Sequence, residues 1–456
     1  MTRRPPTAPT RRPPTTPTAR RPTRRPPPRR PRSTRRPPRP TRTLSSEAPR
    51  PRARVGSSPR PGSATSPRRS GAADPLDQGS GGLARTDRRP VPSSTVANRG
   101  RKPAMPADRP PPLPPPRGPL THALFDAWSH DAPTLPGGLG DDRDPLVDPL
   151  AGEDFQLALY CCYELHYRGF AGVAERWERD PAVTAVTVAL EDAFEGALRA
   201  TCDGPPAPTG NVAEALWSLA GEDEGPSLSA VVARGATLEQ VRELAVHRSA
   251  YQRKEADPHS WALPRLSGRP KAALVEIQAD EYGGGRPGAS HAELFADTLA
   301  ALGLDPTYGA YVDLLPGATL ATTNLITLFG RQRRLRGALV GHLALFEMTS
   351  VGPMARYADG LRRLGVGGTA FYDVHVAADA HHQHVAARDL AQALADDEPA
   401  CAGDILFGAR ALTAVERRFS SGVLAAWAEG RTSLRAPLAT GCATPRAPVA
   451  AALASA

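Results

Sequence analysis

In the stretch AFYDVHVAADAHHQHVAARDLAQALA (residues 370–395), apolar side chains recur every three or four positions. This spacing is typical of an amphipathic α-helix that buries one face in a core. Eight further segments share the pattern: 155–170, 181–200, 228–256, 271–282, 289–303, 320–350, 353–365 and 403–429. Because the sequence has no extended β-branched runs between them, we predict one all-α domain over residues 151–435.

The ends of these segments carry the residues that usually begin or stop a helix. Asp154 directly precedes the first segment, and we predict that it caps that helix. Glycine and proline predict breaks at Pro258, residues 283–288, Pro316 and residues 365–368.

The charge of the chain is concentrated at its N-terminus. The whole chain carries +10, but residues 1–60 hold 19 arginines and a single acid, Glu47, which leaves residues 61–456 at −8. Residues 1–118 have too few apolar side chains to offset the entropy lost on ordering. We therefore predict a disordered basic tail over 1–118, a linker over 119–150 and a flexible C-terminal tail over 436–456.

Three interpretations of the basic tail stay open. Met105 is the first methionine after Met1, so an incorrectly assigned start is one of them. A solvated tail without a fixed role is the second, and an arm that binds polyanions is the third. Arginine clusters without interleaved aromatic residues predict only salt-sensitive, non-specific contact with nucleic acid. The sequence thus excludes a nucleic-acid-binding globule.

Cysteine usage and hydropathy point to a cytoplasmic protein. No apolar run reaches the roughly 20 residues that cross a bilayer, and the N-terminus lacks the apolar core of a secretory signal. The five cysteines contain no CxxC spacing, so neither a disulfide framework nor a zinc knuckle fits. They are Cys161, Cys162, Cys202, Cys401 and Cys442.

A first group of candidate metal ligands lies on the predicted helix 370–395. His375, Asp379 and His382 fall within an arc of about 60° when each residue advances the helix by about 100°. The same rotation per residue places the neighbouring His381 and His384 on other faces of the helix. Solvated or core-capping histidines are the alternative interpretation.

A second group lies on other segments of the predicted domain. Glu281 and His291 flank the glycine-rich stretch 283–288, which would let the chain turn so that both face one interior. Glu255 lies near the end of the segment 228–256. The alternatives are an ordinary loop histidine and ion-paired or solvated glutamates.

Together these residues comprise three carboxylates and three imidazoles. Carboxylates and imidazoles suit iron, and helix bundles house pairs of such ions. Zinc hydrolysis needs fewer ligands, and a haem needs one axial histidine. The donor set therefore predicts two iron ions as cofactor, with manganese as the alternative metal.

Three stretches resemble the haem-oxygenase-like dimetal (diiron) oxidases and oxygenases, often labelled iron-containing redox enzymes. They are KEADPHSWALPRL (254–266), QADEYGGGRPGASHAELF (278–295) and FYDVHVAADAHHQHV (371–385). The resemblance extends from about Asp154 to residue 435 and includes none of residues 1–118. It implies a seven-helix bundle and a ligand pattern that falls on Glu255, Glu281, His291, His375, Asp379 and His382.

The resemblance also implies an activity. Members of this family activate O2 as co-substrate to oxidise small molecules. For this chain that implies hydroxylation, desaturation or C–C cleavage of an amino-acid-, amine- or fatty-acid-like substrate, with an external electron donor. The alternatives are a haem-binding protein of the same fold and an inactive helical binding protein with a polyanion-binding tail. The sequence leaves the oligomeric state open between a monomer and a homodimer.

Several other polar residues have weaker claims. Glu347 is a candidate outer acid, and His247 or Tyr251 are candidates to hydrogen-bond a ligand carboxylate. We assign ordinary structural roles to four further residues. Glu164 and His166 are predicted to form helix contacts. Arg265 and Arg435 are predicted to form salt bridges rather than to bind substrate.

Overall fold

The structure, a computed structural model, describes residues 109–130, 132–135, 148–202, 211–222 and 227–438. These residues form thirteen α-helices and no strand, which confirms the all-α fold class. The helices are α1 Pro119–Ser129, α2 Glu153–Tyr167, α3 Pro181–Thr201, α4 Val212–Gly221, α5 Leu228–Arg234, α6 Leu238–Gln252, α7 Gly268–Glu281, α8 His291–Ala301, α9 Gly317–Arg331, α10 Arg336–Arg363, α11 Ala370–His384, α12 Ala393–Asp397 and α13 Ala402–Ala428.

Helix α10 is the central element of the bundle and packs against α13, α11, α9 and α5. Glycines permit its closest crossing, with α13. A Cβ on Gly341 would overlap the carbonyl of Ile405, and one on Gly408 would overlap that of Ala338. The two backbones therefore lie closer than alanine would allow, which fixes the face of α10 that turns toward α11.

Helix α10 differs from its prediction at both ends. The predicted helix 320–350 is interrupted at Gln332, where the backbone is extended (φ −97°, ψ 110°). The predicted break before residue 353 is absent, because α10 runs through Pro353. Proline removes one helical hydrogen bond, but α10 continues beyond Pro353 to Arg363.

Two other predicted helices are divided. The segment 228–256 breaks after α5 at Gly235, and α6 already ends at Gln252. The segment 370–395 begins as α11, widens into a π-helix at Val385–Gln392 and ends as α12. A π-turn inserts one residue into the helical register and is frequent at functional sites.

The described part of the predicted N-terminal tail is packed against the helices. The guanidinium of Arg117 donates to Glu153 at 2.9 Å and to the carbonyl of Val312 at 2.8 Å. Helix α1 occupies the predicted linker, and α4 was not predicted. Residues 1–108 and 439–456 of the predicted tails lie outside the described residues.

Asp154 caps a different helix from the one predicted. It is the second residue of α2, and the N-cap of α2 is Gly152. The Asp154 carboxylate instead accepts from the backbone N–H groups of Leu120 and Thr121, both at 2.9 Å, at the start of α1. An acidic side chain stabilises the positive end of a helix wherever it reaches those N–H groups, so the capping chemistry was recognised but not its target.

None of the helices in the described ranges has both the length and the apolar content that crossing a membrane requires.

Candidate metal centre

A glycine turn brings Glu281 and His291 together. Glu281 is the last residue of α7 and His291 the first of α8. Gly283 between them has φ 63°, and a Cβ there would overlap the backbone of Ala289. The loop therefore folds back tightly, and His291 Nδ1 lies 3.0 Å from Glu281 Oε2 with both side chains buried.

Glu255 and His375 complete this first group. Glu255 lies in the turn between α6 and Pro258, and not at the end of a helix as predicted. His375 Nε2 is 3.6 Å from Glu255 Oε2. The other ring nitrogen, Nδ1, is 2.7 Å from the carbonyl of Phe371. A carbonyl can only accept, so Nδ1 carries the proton and the lone pair of Nε2 is left for a metal.

A second group lies beside it along α11 and α10. His382 Nδ1 is 3.7 Å from Asp379 Oδ1 and 3.6 Å from Glu347 Oε2. The second ring nitrogen, His382 Nε2, is 3.1 Å from Asp280, and Ser350 donates to Asp379 Oδ2 at 2.5 Å. Asp379 follows His375 by one helical turn, so the two groups are adjacent.

The donor atoms of both groups fit metal cations. All seven side chains are at most 6 % exposed. Several of their atoms have no hydrogen-bond partner among the described residues: both oxygens of Glu255, Nε2 of His375, Oδ1 of Asp379 and Nδ1 of His382. Buried polar atoms are rarely left unpaired, and charged ones are costly unless neutralised. Cations between these atoms would satisfy them, and the donor atoms of each group already lie within 4.8 Å of one another.

The pKa values of the second group reflect this electrostatic conflict. Burial raises the pKa of Glu347 to about 8, and the nearby Asp379 and Glu281 carboxylates add to the effect. Burial alone would lower the pKa of His382, but Asp379 and Glu347 outweigh it and raise that pKa to about 10. A cation between these side chains would lower both pKa values, because it favours an ionised carboxylate and a neutral imidazole.

The first group shows the same conflict. Burial opposes the charged form of His375, yet the Glu255 and Glu281 carboxylates raise its pKa to about 10. The pKa of Glu255 is raised by burial. Burial acts on Glu281 in the same direction, but His291 and His375 outweigh it and its pKa lies below the ordinary value.

The structure brings all six predicted residues together and places a seventh side chain, Glu347, beside them. Glu255, Glu281, His291 and His375 form the first group, and Asp379 and His382 belong to the second. Glu347 joins the second group directly, whereas we predicted it only as an outer acid. No second predicted ligand lies near Glu347 at helical spacing, so no sequence pattern marks Glu347 as a metal donor.

The neighbouring histidines of α11 point away from the donors. His381 is exposed and lies 2.9 Å from Glu276. His384 is exposed and packs on the ring of Trp217 at 5.7 Å between centroids. This agrees with the helical phase computed from the sequence.

Two residues predicted to support the ligands have different surroundings. His247 lies between the hydroxyls of Thr319 and Ser433, at 2.8 and 3.0 Å, and reaches no donor of either group. Tyr251 stacks on Phe346, with ring centroids 5.4 Å apart. Its buried hydroxyl has no hydrogen-bond partner within the described residues, so Tyr251 does not hold a ligand carboxylate.

The four residues with weaker claims have structural roles, although Arg265 contacts backbone carbonyls and not the acidic partner that we predicted. Glu164 forms a buried ion pair with Lys254 at 2.7 Å. His166 contacts Glu178 at 3.1 Å. Arg265 donates to backbone carbonyls at the end of α9, and Arg435 contacts Glu153 at 3.1 Å.

Two buried imidazoles beside the donors were not recognised in the sequence. His259 and His342 have ring centroids 5.8 Å apart. Burial lowers the pKa of His259 to about 4 and that of His342 further below its ordinary value. His259 follows Glu255 by four residues, a spacing that could have marked it, whereas His342 has no predicted ligand at helical spacing. Only the fold brings the two rings together.

The chain is similar to known iron-containing redox proteins. Residues 242–417 match the family model described as "Iron-containing redox enzyme", and this range contains all seven donors. The chain is also 24% identical over 186 residues to a nitrosourea synthase from Streptomyces achromogenes subsp. streptozoticus. That similarity covers 40% of this chain and 39% of the relative, so the chain matches less than half of that protein. The family resemblance predicted from the sequence is confirmed.

Proposed function

We propose that this oxidoreductase of the iron-containing redox enzyme family uses two iron ions to activate O2 for the oxidation of a small molecule. The first ion would be held by Glu255, Glu281, His291 and His375. The second would be held by Glu347, Asp379 and His382. These are the two buried groups of donors, and helix α11 supplies side chains to both.

The observation that carries this proposal is the set of unpaired donor atoms inside the bundle. Four carboxylates and three imidazoles converge in a region that excludes water. In a purely structural role these carboxylates would each need a hydrogen-bond donor, and several have none in the described part of the chain. Four carboxylates also match the charge of two divalent cations.

The side chains around the donors set what bound iron could do. Iron in such a site would supply electrons to O2, and the reduced oxygen would then oxidise the substrate. The protein holds the imidazole of His375 by the Phe371 carbonyl and the carboxylate of Asp379 by Ser350, so both ligands are oriented before metal binds. Burial keeps water from competing with the substrate.

The class of substrate follows from the family and not from the donors. We propose an amino-acid-, amine- or fatty-acid-like substrate that is hydroxylated, desaturated or cleaved at a C–C bond, with an external electron donor. The similarity to a nitrosourea synthase supports oxidation of a nitrogen-containing molecule as one such outcome.

A haem enzyme of the same fold is the main alternative. One axial histidine would suffice for it, and the four buried carboxylates would then remain unpaired. An absorption spectrum separates the two functions, since a haem complex gives a strong Soret band.

Iron analysis combined with O2 consumption tests the proposal. Protein loaded anaerobically with Fe(II) and desalted should retain about two iron ions per chain and consume O2 on mixing. Retention of no iron, or a Soret complex with haem and no reaction of the iron-loaded protein, would contradict it.

A further inference from the structure

A cavity of about 220 Å³ has Ser350 in its wall, the residue that donates a hydrogen bond to Asp379 of the second group of donors. Residues from the C-terminal half of α6, from α10 and from α13 form its walls, and the start of α5 closes one side. Among the lining residues are Gln252 of α6, Ser350 and Arg356 of α10, and Glu416 of α13.

The cavity and the donors share side chains. Ser350 lines the cavity, and its hydroxyl donates a hydrogen bond to the Asp379 carboxylate. Phe346, another lining residue, directly precedes Glu347 in α10. Gln252 lies three residues before Glu255. A molecule in the cavity would therefore have one end beside the proposed iron site.

Among the described residues, one arginine of the cavity wall has no carboxylate partner. Arg248 and Glu416 neutralise each other through two hydrogen bonds of 2.8 and 2.7 Å. The half-buried Arg356, in contrast, donates from Nε to the hydroxyl of Ser229 at 2.9 Å. In the described ranges no acidic side chain comes within ion-pair distance of Arg356, so its guanidinium can accept an anion.

The same wall offers an unpaired acceptor. Gln252 is 5 % exposed, and its amide oxygen has no hydrogen-bond partner among the described residues. A buried amide oxygen is costly to leave unpaired. An N–H or O–H group of a ligand would satisfy it.

We propose that this cavity is the substrate site and that it takes a small organic acid, with its carboxylate on Arg356. An N–H or O–H group of the same molecule donates a hydrogen bond to the amide oxygen of Gln252. The part of the molecule to be oxidised lies toward Ser350. Guanidinium binds a carboxylate through two parallel hydrogen bonds, which fixes direction as well as position. The proposal rests on the proposed function for the oxidation itself, but the binding site does not.

The size of the cavity limits the substrate. Sites for drug-sized ligands have volumes of about 300–1,000 Å³, so a cavity of 220 Å³ suits a smaller molecule. Leu345, Phe346, Met354 and Leu412 supply an apolar lining for a short chain.

Binding of simple acids tests the proposal on the full-length protein. Calorimetry with the metal-free chain avoids capture of the carboxylate by a cation. The probes are the straight-chain acids from butanoate to octanoate, each compared with its neutral amide. We expect at least one acid to bind at least about tenfold more tightly than its amide, and Arg356→Gln to remove that preference.

Matched variants separate binding from folding. Arg356→Lys should keep part of the preference for the acid. Arg362→Gln, on the exposed side of the same helix, should leave it unchanged. Gln252→Met should weaken binding of L-norleucine, which carries an amino group, and leave hexanoate unaffected. Equal binding of acids and amides, or an unchanged preference in Arg356→Gln, would overturn the proposal.

Iron content distinguishes this proposal from the proposed function. Arg356 contacts none of the seven donors, so Arg356→Gln should retain the iron of the unmodified chain. If the chain binds organic acids on Arg356 but retains no iron, the cavity assignment stands and the oxidase assignment fails. If iron is retained and acids show no dependence on Arg356, the reverse holds.

Discussion

Ser350 donates a hydrogen bond to Asp379 at 2.5 Å and lines the adjacent cavity. Helix α10 thereby holds a carboxylate of helix α11 in place through a hydroxyl that also faces the cavity. Since removal of such an outer partner typically lowers metal affinity by about 10–100-fold, Ser350→Ala should weaken iron binding by that factor. Equilibrium competition with a chelator measures it.

Thr349→Val is the matched control for this variant. The Thr349 hydroxyl bonds only to carbonyls of its own helix, Leu345 and Phe346. Iron affinity should therefore stay unchanged in Thr349→Val. An equal loss in both variants would mean that Ser350 acts through the stability of α10 and not through Asp379.

Glu347 should be required for the second metal. Glu347→Gln keeps the shape of the side chain and removes its charge, so the site loses one of two carboxylates. We expect about one iron per chain in place of two, measured by metal analysis after anaerobic loading. Glu276→Gln, at an exposed position, should keep both ions. Two ions in Glu347→Gln would assign Glu347 a structural role.

The effect of replacing a histidine of α11 should depend on the helix face that it occupies. His382→Ala removes a donor whose Nδ1 faces Asp379 and Glu347, so bound iron should fall and O2 uptake should be lost. His381→Ala and His384→Ala remove exposed rings and should change little. Oxygen-electrode traces for the three variants check this, and similar losses in all of them would contradict the assignment of faces.

Stability should decrease in acid partly because of His247. Burial lowers the pKa of His247 to about 3, from an ordinary value near 6.5. Below about pH 6.5 the unfolded chain binds a proton at this residue that the folded chain does not bind. Its contribution to the free energy of unfolding is therefore complete above that pH and decreases by up to about 1.4 kcal/mol per pH unit toward pH 3.

Urea unfolding between pH 7 and pH 4 measures this slope. His247→Gln should have lower stability at pH 7, since it loses the contacts to Thr319 and Ser433, but a shallower pH dependence. His130→Gln, at an exposed position, should leave the slope unchanged. An equally steep slope in His247→Gln would show that other groups cause the acid sensitivity.

The sequence pattern predicted those features of the site that depend only on residues close together in the chain. The helical phase of His375, Asp379 and His382 placed them on one buried face because 3.6 residues complete a turn regardless of context. The turn between Glu281 and His291 followed from glycines that no side chain could replace. Both features are encoded within about fifteen residues.

Contacts between distant segments were not predictable in this way. Glu347 becomes a donor because Gly341 and Gly408 let α10 and α13 approach, which sets the rotation of α10. Pro353 signals a break by itself, yet α10 continues through it. Asp154 was recognised as a cap, but only the fold shows that it caps α1.

Iron-edge anomalous diffraction from Fe(II)-soaked crystals grown without oxygen would locate bound iron within the bundle. We expect two anomalous peaks in each chain, one among Glu255, Glu281, His291 and His375 and the other among Glu347, Asp379 and His382. An absence of peaks at these side chains, or one peak held by other residues, would contradict it.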